Sequence, residues 1–501
     1  MSWYIVPAYF ARSAPGRGHT PGGSTGPCPF TKHMEIDMRT AICCIMILLS
    51  ASASAQQPTD DRETDPRVLR KLEWFQDQKF GLLVHWGPYS QWGVVESWSI
   101  CSEDEPWCRR SMDNYVDYCR AYEGLKKSFS PQNFDPSAWA AAARGAGMRY
   151  VVFTTKHHDG FCMFDTKQTD YRVTDPGCAF HADLRANITR QVFDAFREKG
   201  FGIGAYFSKP DWHSPYYWNP YWAHADRNVN YSIEKHPDLW SKFRDYTHAQ
   251  IEELMTGYGT VDILWLDGGW VKPGNRGQDI GMTLLAAMAR SHQPGLIIVD
   301  RAVGGRHENY QTPEQVVPDH PPATPWETCM TMGMSWSYVP DDVYKPAREL
   351  IHLLTRVVAT GGNFLLNVGP GPLGEFPAAA LERLAVIGSW MKINGEAIYG
   401  TRSVVPSHEG PLWFTGDTSG AVNAIFLPAT ADAAPPATVT LSSHLPRAGS
   451  RVTMFGVREP LGWRVDGSRV LIEIPEGVRS DPPCQHAWTL RIETPQGSGR
   501  R

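Results

Sequence analysis

Long apolar runs are missing from this 501-residue chain: the most sustained one near the N-terminus, Ala41 to Leu49, falls well short of the ~20 residues that span a bilayer. An excess of charge of one sign is missing too. Lys and Arg number 48 against 53 Asp and Glu, a net charge of −5, so there is no electrostatic case for nucleic acid or an anionic membrane as partner. No C-x-x-C pair or His-rich cluster marks a zinc site, and no G-x-G-x-x-G follows the first strand-like run. Neither a metal nor a dinucleotide cofactor is therefore expected. Aromatic residues, by contrast, are plentiful, at 12% of the chain with 19 Trp. Trp and Tyr offer a flat apolar face with a polar edge, which serves cores and sugar rings alike.

The N-terminal part reads as a targeting segment. Met38-Arg39-Thr40 leads into Ala41 to Leu49 and then Ser50-Ala51-Ser52-Ala53-Ser54-Ala55, a basic start, a short apolar stretch and a small-residue cleavage site. Residues 38–55 are thus expected to be a signal peptide, cleaved after Ala55, and the protein to be secreted or periplasmic. Residues 1–37, rich in Gly, Pro and Ser, read as an extension upstream of the true start. Seven of the 10 cysteines follow the cleavage site. Cys101 and Cys108, or either with Cys119, are close enough in sequence to pair, whereas Cys162 and Cys329 read as buried thiols. Asn187-Ile188-Thr189 and Asn230-Tyr231-Ser232 are glycosylation sequons, a pattern that chance also produces.

Between about residues 75 and 370 short apolar runs alternate with amphipathic ones. Gly81–His85, Tyr150–Thr154, Gly202–Phe207, Val261–Leu266, Leu296–Val299 and Asn363–Val368 are continuously apolar, as strands covered on both faces are. Helical periodicity occupies Pro136–Ala146, Leu184–Lys199, Leu239–Tyr258, Gly281–Ser291 and Tyr344–Thr360. Repeated strand–helix units predict a (β/α)8-like TIM barrel over residues 56–395. After residue 396 the helical pattern stops, and short runs at Val422–Leu427, Ala437–Leu441 and Val470–Ile474 predict a C-terminal β-sandwich over 396–495, with a disordered tail at 496–501.

In a parallel barrel, catalytic groups gather where strands end. His85 ends the first strand, Lys156-His157-His158-Asp159 the second, Trp265-Leu266-Asp267 a later one, and Asp300-Arg301 the next; Glu314 and Glu327 lie downstream. A single Asp or His at such a place is usually a satisfied structural group. Together they meet the needs of glycoside cleavage, which uses two carboxylates flanking an anomeric carbon. Asp267 and Trp265 are two residues apart and point to one side of their strand, and Arg301 can hold Asp267 ionised. The histidines can give and take hydrogen bonds from sugar hydroxyls. A metallohydrolase would use His85, His157, His158 and Asp267 as ligands, but adjacent histidines on an extended chain point apart.

At these residues the chain resembles the α-L-fucosidases of glycoside hydrolase family 29. The matching blocks are Lys79 to Ser90, Thr155 to Phe161, Leu264 to Gly268, Thr312 to Gln315, Trp326 to Thr331 with Ser335-Trp336, Gly362 to Pro370, and Ile393 to Tyr399. The resemblance implies a glycoside hydrolase with no cofactor that cleaves terminal α-L-fucose from oligosaccharides or glycoconjugates with retained configuration. It implies Asp267 as nucleophile, and His85, His157, His158, Trp265 and Arg301 as fucose contacts. Glu96 and Trp98 stand where the family places an adjacent Glu-Trp pair, here separated by Ser97. For the acid/base, Glu314 is the first choice and Glu327 the second. Fucose carries a methyl group in place of a 6-hydroxyl, and Trp336 or Phe364 is expected to wall it. Alternatives are an exo-glycosidase for a related, galactose-like sugar, and a catalytically inactive carbohydrate-binding barrel.

Overall fold

A computed structural model describes residues 62–493 apart from 102–107, 109 and 225. The expected upstream extension, signal peptide and tail lie outside these residues. Seven parallel strands form the main sheet: β1 (Phe80–Val84), β2 (Tyr150–Lys156), β3 (Gly202–Ser208), β4 (Ile263–Asp267), β5 (Ile297–Asp300), β6 (Glu327–Thr331) and β7 (Asn363–Val368), in the order β5-β4-β3-β2-β1-β7-β6. The accompanying helices are α1 (Pro66–Gln78), α2 (Tyr115–Glu123), α3 (Pro136–Gly145), α4 (Ile188–Glu198), α5 (Pro237–Gly257), α6 (Met282–His292), α7 (Ala347–Ala359) and α8 (Ala378–Asn394).

The barrel departs from eight regular strands at one place. The two edge strands, β5 and β6, do not pair with each other. The chain between them fills the seam: Glu308 bridges Val299 on one side, while Gln311 and Glu314 bridge Trp326 and Cys329 on the other. Pro313, which has no N–H to give, interrupts any regular ladder there. The expected TIM-like barrel is present, with an irregular eighth wall.

Alternation along the strands sorts side chains into two cores. Leu83, Val152, Tyr206, Trp265, Val299, Cys329 and Leu365 fill the interior, while Leu82, Val151, Phe207, Leu266 and Leu366 face the surrounding helices. The base is plugged by α1, which starts at Pro66 behind an Asp65 cap accepting from Arg67 N–H. Its Val68, Leu72 and Phe75 join the interior cluster, and Phe75 stacks on Tyr310 with centroids 4.3 Å apart. Glycine is needed at position 81, where a Cβ would come within 2.4 Å of the Tyr150 ring. The strand β6 and helices α1, α2 and α8 carried no distinct signal in the sequence reading. The two sequons serve as internal hydrogen-bond groups: Asn187 caps α4 by accepting from Arg190 N–H at 3.3 Å, and Asn230 bonds both backbone groups of Asn219.

Beyond the barrel, β8 (Arg402–Glu409), β9 (Leu412–Gly416), β10 (Val422–Phe426), β11 (Thr438–Leu441), β12 (Arg451–Met454), β13 (Trp463–Asp466), β14 (Arg469–Glu473) and β15 (Trp488–Glu493) form two antiparallel sheets, β12-β15-β10-β9-β8 and β11-β14-β13. Phe414, Val439, Leu441, Ile472 and Trp488 pack in one cluster drawn from both. This layer is tied to α8 by Trp390 Nε1 donating to Ala487 O at 3.0 Å and Thr489 donating to Asn394 Oδ1 at 2.7 Å. Among the described residues no helix is long and apolar enough to cross a membrane. Cys119 carries a free thiol, so neither pairing with it forms, and Cys162 and Cys329 are buried thiols as expected.

Candidate active site

The strand ends enclose a cavity of about 210 Å³ lined by Leu83, His85, Glu96, Trp98, His157, His158, Tyr206, Arg227, Trp265, Asp267, Trp270, Arg301, Glu314, Cys329 and Trp336. A groove of about 850 Å³ between α7, α8 and the sandwich is larger. No strand end of the barrel reaches it, so the smaller cavity holds the chemistry.

Asp267 sits at its centre. One carboxylate oxygen accepts from Arg301 Nη1 at 2.8 Å and from Gly268 N–H at 2.7 Å. The other accepts from the Tyr206 hydroxyl at 2.7 Å, with His158 Nε2 3.8 Å away. Burial alone would raise this carboxyl, but the charge of Arg301 and the hydrogen bonds from Tyr206 and Arg301 outweigh it and hold Asp267 well below the usual range. Arg301 extends its other guanidinium nitrogen to Glu314 and lies over the Trp265 ring, 5.1 Å from the centroid. One cation thus joins two carboxylates. They differ in setting: the side chain of Asp267 is 13% exposed and that of Glu314 42%.

The three histidines are held neutral. Burial lowers His85 and His158 to about 4 and His157 well below its ordinary value. His85 Nδ1–H donates to Asn367 Oδ1 at 2.7 Å, because the Asn367 amide nitrogen is spent on Trp336 O; this leaves Nε2 as an acceptor. His157 and His158 face the same cavity with ring centroids 4.3 Å apart, contrary to the extended-chain argument, because β2 has ended at Lys156. His157, His158 and Asp267 offer ligand atoms within 4.8 Å of one another. A cation there would displace or face Arg301, whose charge already occupies Asp267 at 2.8 Å, so this donor set suits a metal poorly.

Two more carboxyls are buried. Glu96 holds an uncommon φ of 20° and accepts from Ser337 N–H at 2.9 Å. Burial, reinforced by Glu314, pushes it up to about 8 despite that bond, so it is a hydroxyl donor at neutral pH. Glu327 lies at the first position of β6, on the barrel floor. Its carboxylate is enclosed by Tyr150 OH at 2.6 Å, Trp265 Nε1 at 3.2 Å and Tyr310 OH at 3.3 Å.

The model of the family described as Alpha-L-fucosidase matches residues 46–396, and that of the Alpha-L-fucosidase C-terminal domain matches 406–493. The chain belongs to the α-L-fucosidase family. It is therefore a glycoside hydrolase of the fucosidase type. It is 29% identical over 479 residues to the tissue alpha-L-fucosidase of Homo sapiens, covering 90% of this chain and 96% of that one. Its identity to the alpha-L-fucosidase of Branchiostoma floridae is 27%, covering 90% and 99%. Among solved structures, alpha-L-fucosidase isoenzyme 1 from Paenibacillus thiaminolyticus superposes with a TM-score of 0.70 at 28% identity, covering 85% and 99%. The Thermotoga maritima alpha-fucosidase in complex with a mechanism based inhibitor gives 0.66 at 26%, covering 86% and 99%.

In this fucosidase-family chain the cavity brings together every singled-out site residue except Glu327 and Phe364. The interruption of the Glu-Trp pair is absorbed locally: Ser97 turns away to within 2.6 Å of His157 Nδ1, and Glu96 and Trp98 both line the cavity. Trp336 lines it too, 5.2 Å from His85. Phe364, the other expected wall, instead stacks on Phe80 on the outer face of the barrel. Sequence reasoning missed Tyr206, Trp270 and Arg227. For Tyr206 a signal existed, a hydroxyl two residues before Ser208 in an apolar strand, which places it inward near the mouth. Trp270 and Arg227 come from loops, where no periodicity guides the eye.

Proposed function

We propose that the chain is a retaining, exo-acting α-L-fucosidase in which Asp267 is the nucleophile and Glu314 the acid/base. The bridge from Arg301 to both carboxylates supports this reading most directly. It keeps Asp267 ionised for attack on the anomeric carbon, forming a fucosyl-enzyme ester as the glycosidic bond breaks. Glu314, more open to solvent, would exchange its Arg301 contact for a proton from solvent, give that proton to the departing oxygen and then take one from the water that hydrolyses the ester. Repeated inversion at the same carbon returns the original configuration. Glu327 is less suited to that task, being walled off from the cavity by Trp265 and bonded to three donors. Neutral His85, His157 and His158 and the protonated Glu96 would exchange hydrogen bonds with the sugar hydroxyls. Trp98, Trp265 and Trp336 would cover its apolar faces. A cavity this small suits a single terminal ring, and the inhibitor bound by the Thermotoga relative is consistent with a covalent route.

The substrate class would be fucosylated oligosaccharides or glycoconjugates met after export, which the Met38–Ala55 motif supports. The deciding assay is hydrolysis of 4-nitrophenyl α-L-fucoside by the chain from Gln56. Asp267→Ala is expected to lose at least ~10³-fold and to recover partly with azide. Glu314→Ala should lose most on poor leaving groups, and Glu327→Ala should show no such dependence. A folded parent inactive on this and on natural fucosides would sink the proposal; faster cleavage of the galactose-configured analogue would move the galactose-like alternative ahead.

A further inference from the structure

We infer that Lys209 and Asp300, neither of which lines the cavity, form a buried positioning pair that fixes Arg301 against Asp267. This rests on the reading of Asp267 as nucleophile. Lys209 directly follows β3, and Asp300 is the last residue of β5, immediately before Arg301. Lys209 Nζ donates to Asp300 Oδ1 at 2.5 Å and to Val271 O at 3.1 Å, and its backbone N–H donates to Asp267 O at 2.9 Å. One residue thus ties the nucleophile's own backbone, the loop that follows it, and the residue before its counter-ion. The strand end that carries Tyr206 is joined to them through the chain.

The neighbouring contacts show how little slack this leaves. Gly268, with φ 90°, lies where a Cβ would meet Pro210 at 2.4 Å, so the loops after β3 and β4 are in direct contact beside Lys209. Arg301 N–H donates to Leu266 O at 3.1 Å. The Lys209 side chain is 0% exposed and that of Asp300 5%. Taking both charges out of water is costly, and an apolar pair of similar shape commonly does as well or better for stability. What an apolar pair cannot supply is the two directed side-chain bonds, from Lys209 Nζ to Asp300 and to the Val271 carbonyl, that join the loops after β3, β4 and β5. Arg301 must meet Asp267 and Glu314 at once, and an error of ~1 Å at such a site can cost on the order of 10²-fold in rate.

The test is a double-mutant cycle on the full mature chain, with kcat/KM for 4-nitrophenyl α-L-fucoside and Tm measured together. Lys209→Met is expected to lower kcat/KM by ~30-fold in the parent but less than ~3-fold in an Arg301→Gln background, since residues acting through one contact are not additive. A residue that served stability alone would lower Tm and the active fraction by the same factor in both backgrounds. Where K209M does not fold, K209M/D300L, which leaves no unpaired buried charge, takes its place in the cycle. Equal losses in the two backgrounds, or an unchanged kcat/KM in K209M, would overturn the inference while the functional reading stands. A folded parent that cleaves no fucoside would overturn both.

Discussion

Replacing Arg301 with Gln probes the centre of the proposed mechanism. The guanidinium donates to Asp267 at 2.8 Å. With ~4 Å between charge centres and an effective dielectric constant near 20, the attraction is roughly 4 kcal/mol. At about 1.4 kcal/mol per unit this corresponds to about three pKa units. In the parent, the Arg301 charge and the hydrogen bonds from Arg301 and Tyr206 together overcome the burial that would raise Asp267. In R301Q burial is opposed chiefly by the Tyr206 bond, and Glu314 loses the cation that separates it from Asp267. The reactive form is the carboxylate, so raising its pKa moves the acidic limb of kcat/KM to higher pH. The profile for 4-nitrophenyl α-L-fucoside should shift upward by about three units, which brings up to roughly pH 3–4 a limb that lies well below that range in the parent, so the pH-dependent loss should deepen below pH ~4 and stay flat above it. A uniform loss at all pH values, with the limb unmoved, would refute the reasoning and leave Arg301 as a sugar contact only.

Two further outcomes follow from the same geometry. Tyr206→Phe deletes one charge-assisted hydrogen bond to Asp267 and should lower kcat/KM by ~30-fold, the equivalent of about 2 kcal/mol; Tm should change little, and an unaltered rate would show the bond to be idle in the transition state. Burial pushes Glu327 up to about 7 from an ordinary 4.5, against the hydrogen bonds it accepts. A raised carboxyl contributes stability that is complete below the unfolded value and is lost as pH rises through the folded one, on the order of 3 kcal/mol here. Tm of the parent should therefore fall more steeply between pH ~5 and ~8 than that of Glu327→Gln; parallel curves would contradict this assignment.

The legible part of the site is the part carried by regular strands. Asp267, Trp265, His85 and Arg301 each stand at or just beyond the end of an apolar run, where parallel-barrel geometry dictates direction. The pair His157-His158 defied the same logic because the chain leaves the extended conformation at Lys156. The order of choice between Glu314 and Glu327 rests on the resemblance and on chain position, not on regular structure: Glu327 opens β6 on the barrel floor, while Glu314 lies on the irregular seam. Helix α1 escaped notice because its apolar residues plug the barrel base from outside the strand–helix alternation. Both cores, by contrast, follow from continuous apolar strands, and the sandwich from short strand-like runs after helical periodicity stops.

The seam between β5 and β6 divides the molecule by function. The proposed nucleophile stands on, and its counter-ion directly after, paired strands whose register cannot slip without reversing every side chain between core and helix layer. The proposed proton donor stands on a stretch joined to its neighbours at isolated points. Lengthening or recutting the part of that stretch before Glu314 changes how the departing group is met while the strands that hold Asp267 keep their register. An engineer seeking a new aglycone preference, or a transferase that keeps water out, would begin at residues 307–313, keep Glu314, and leave the other seven walls alone.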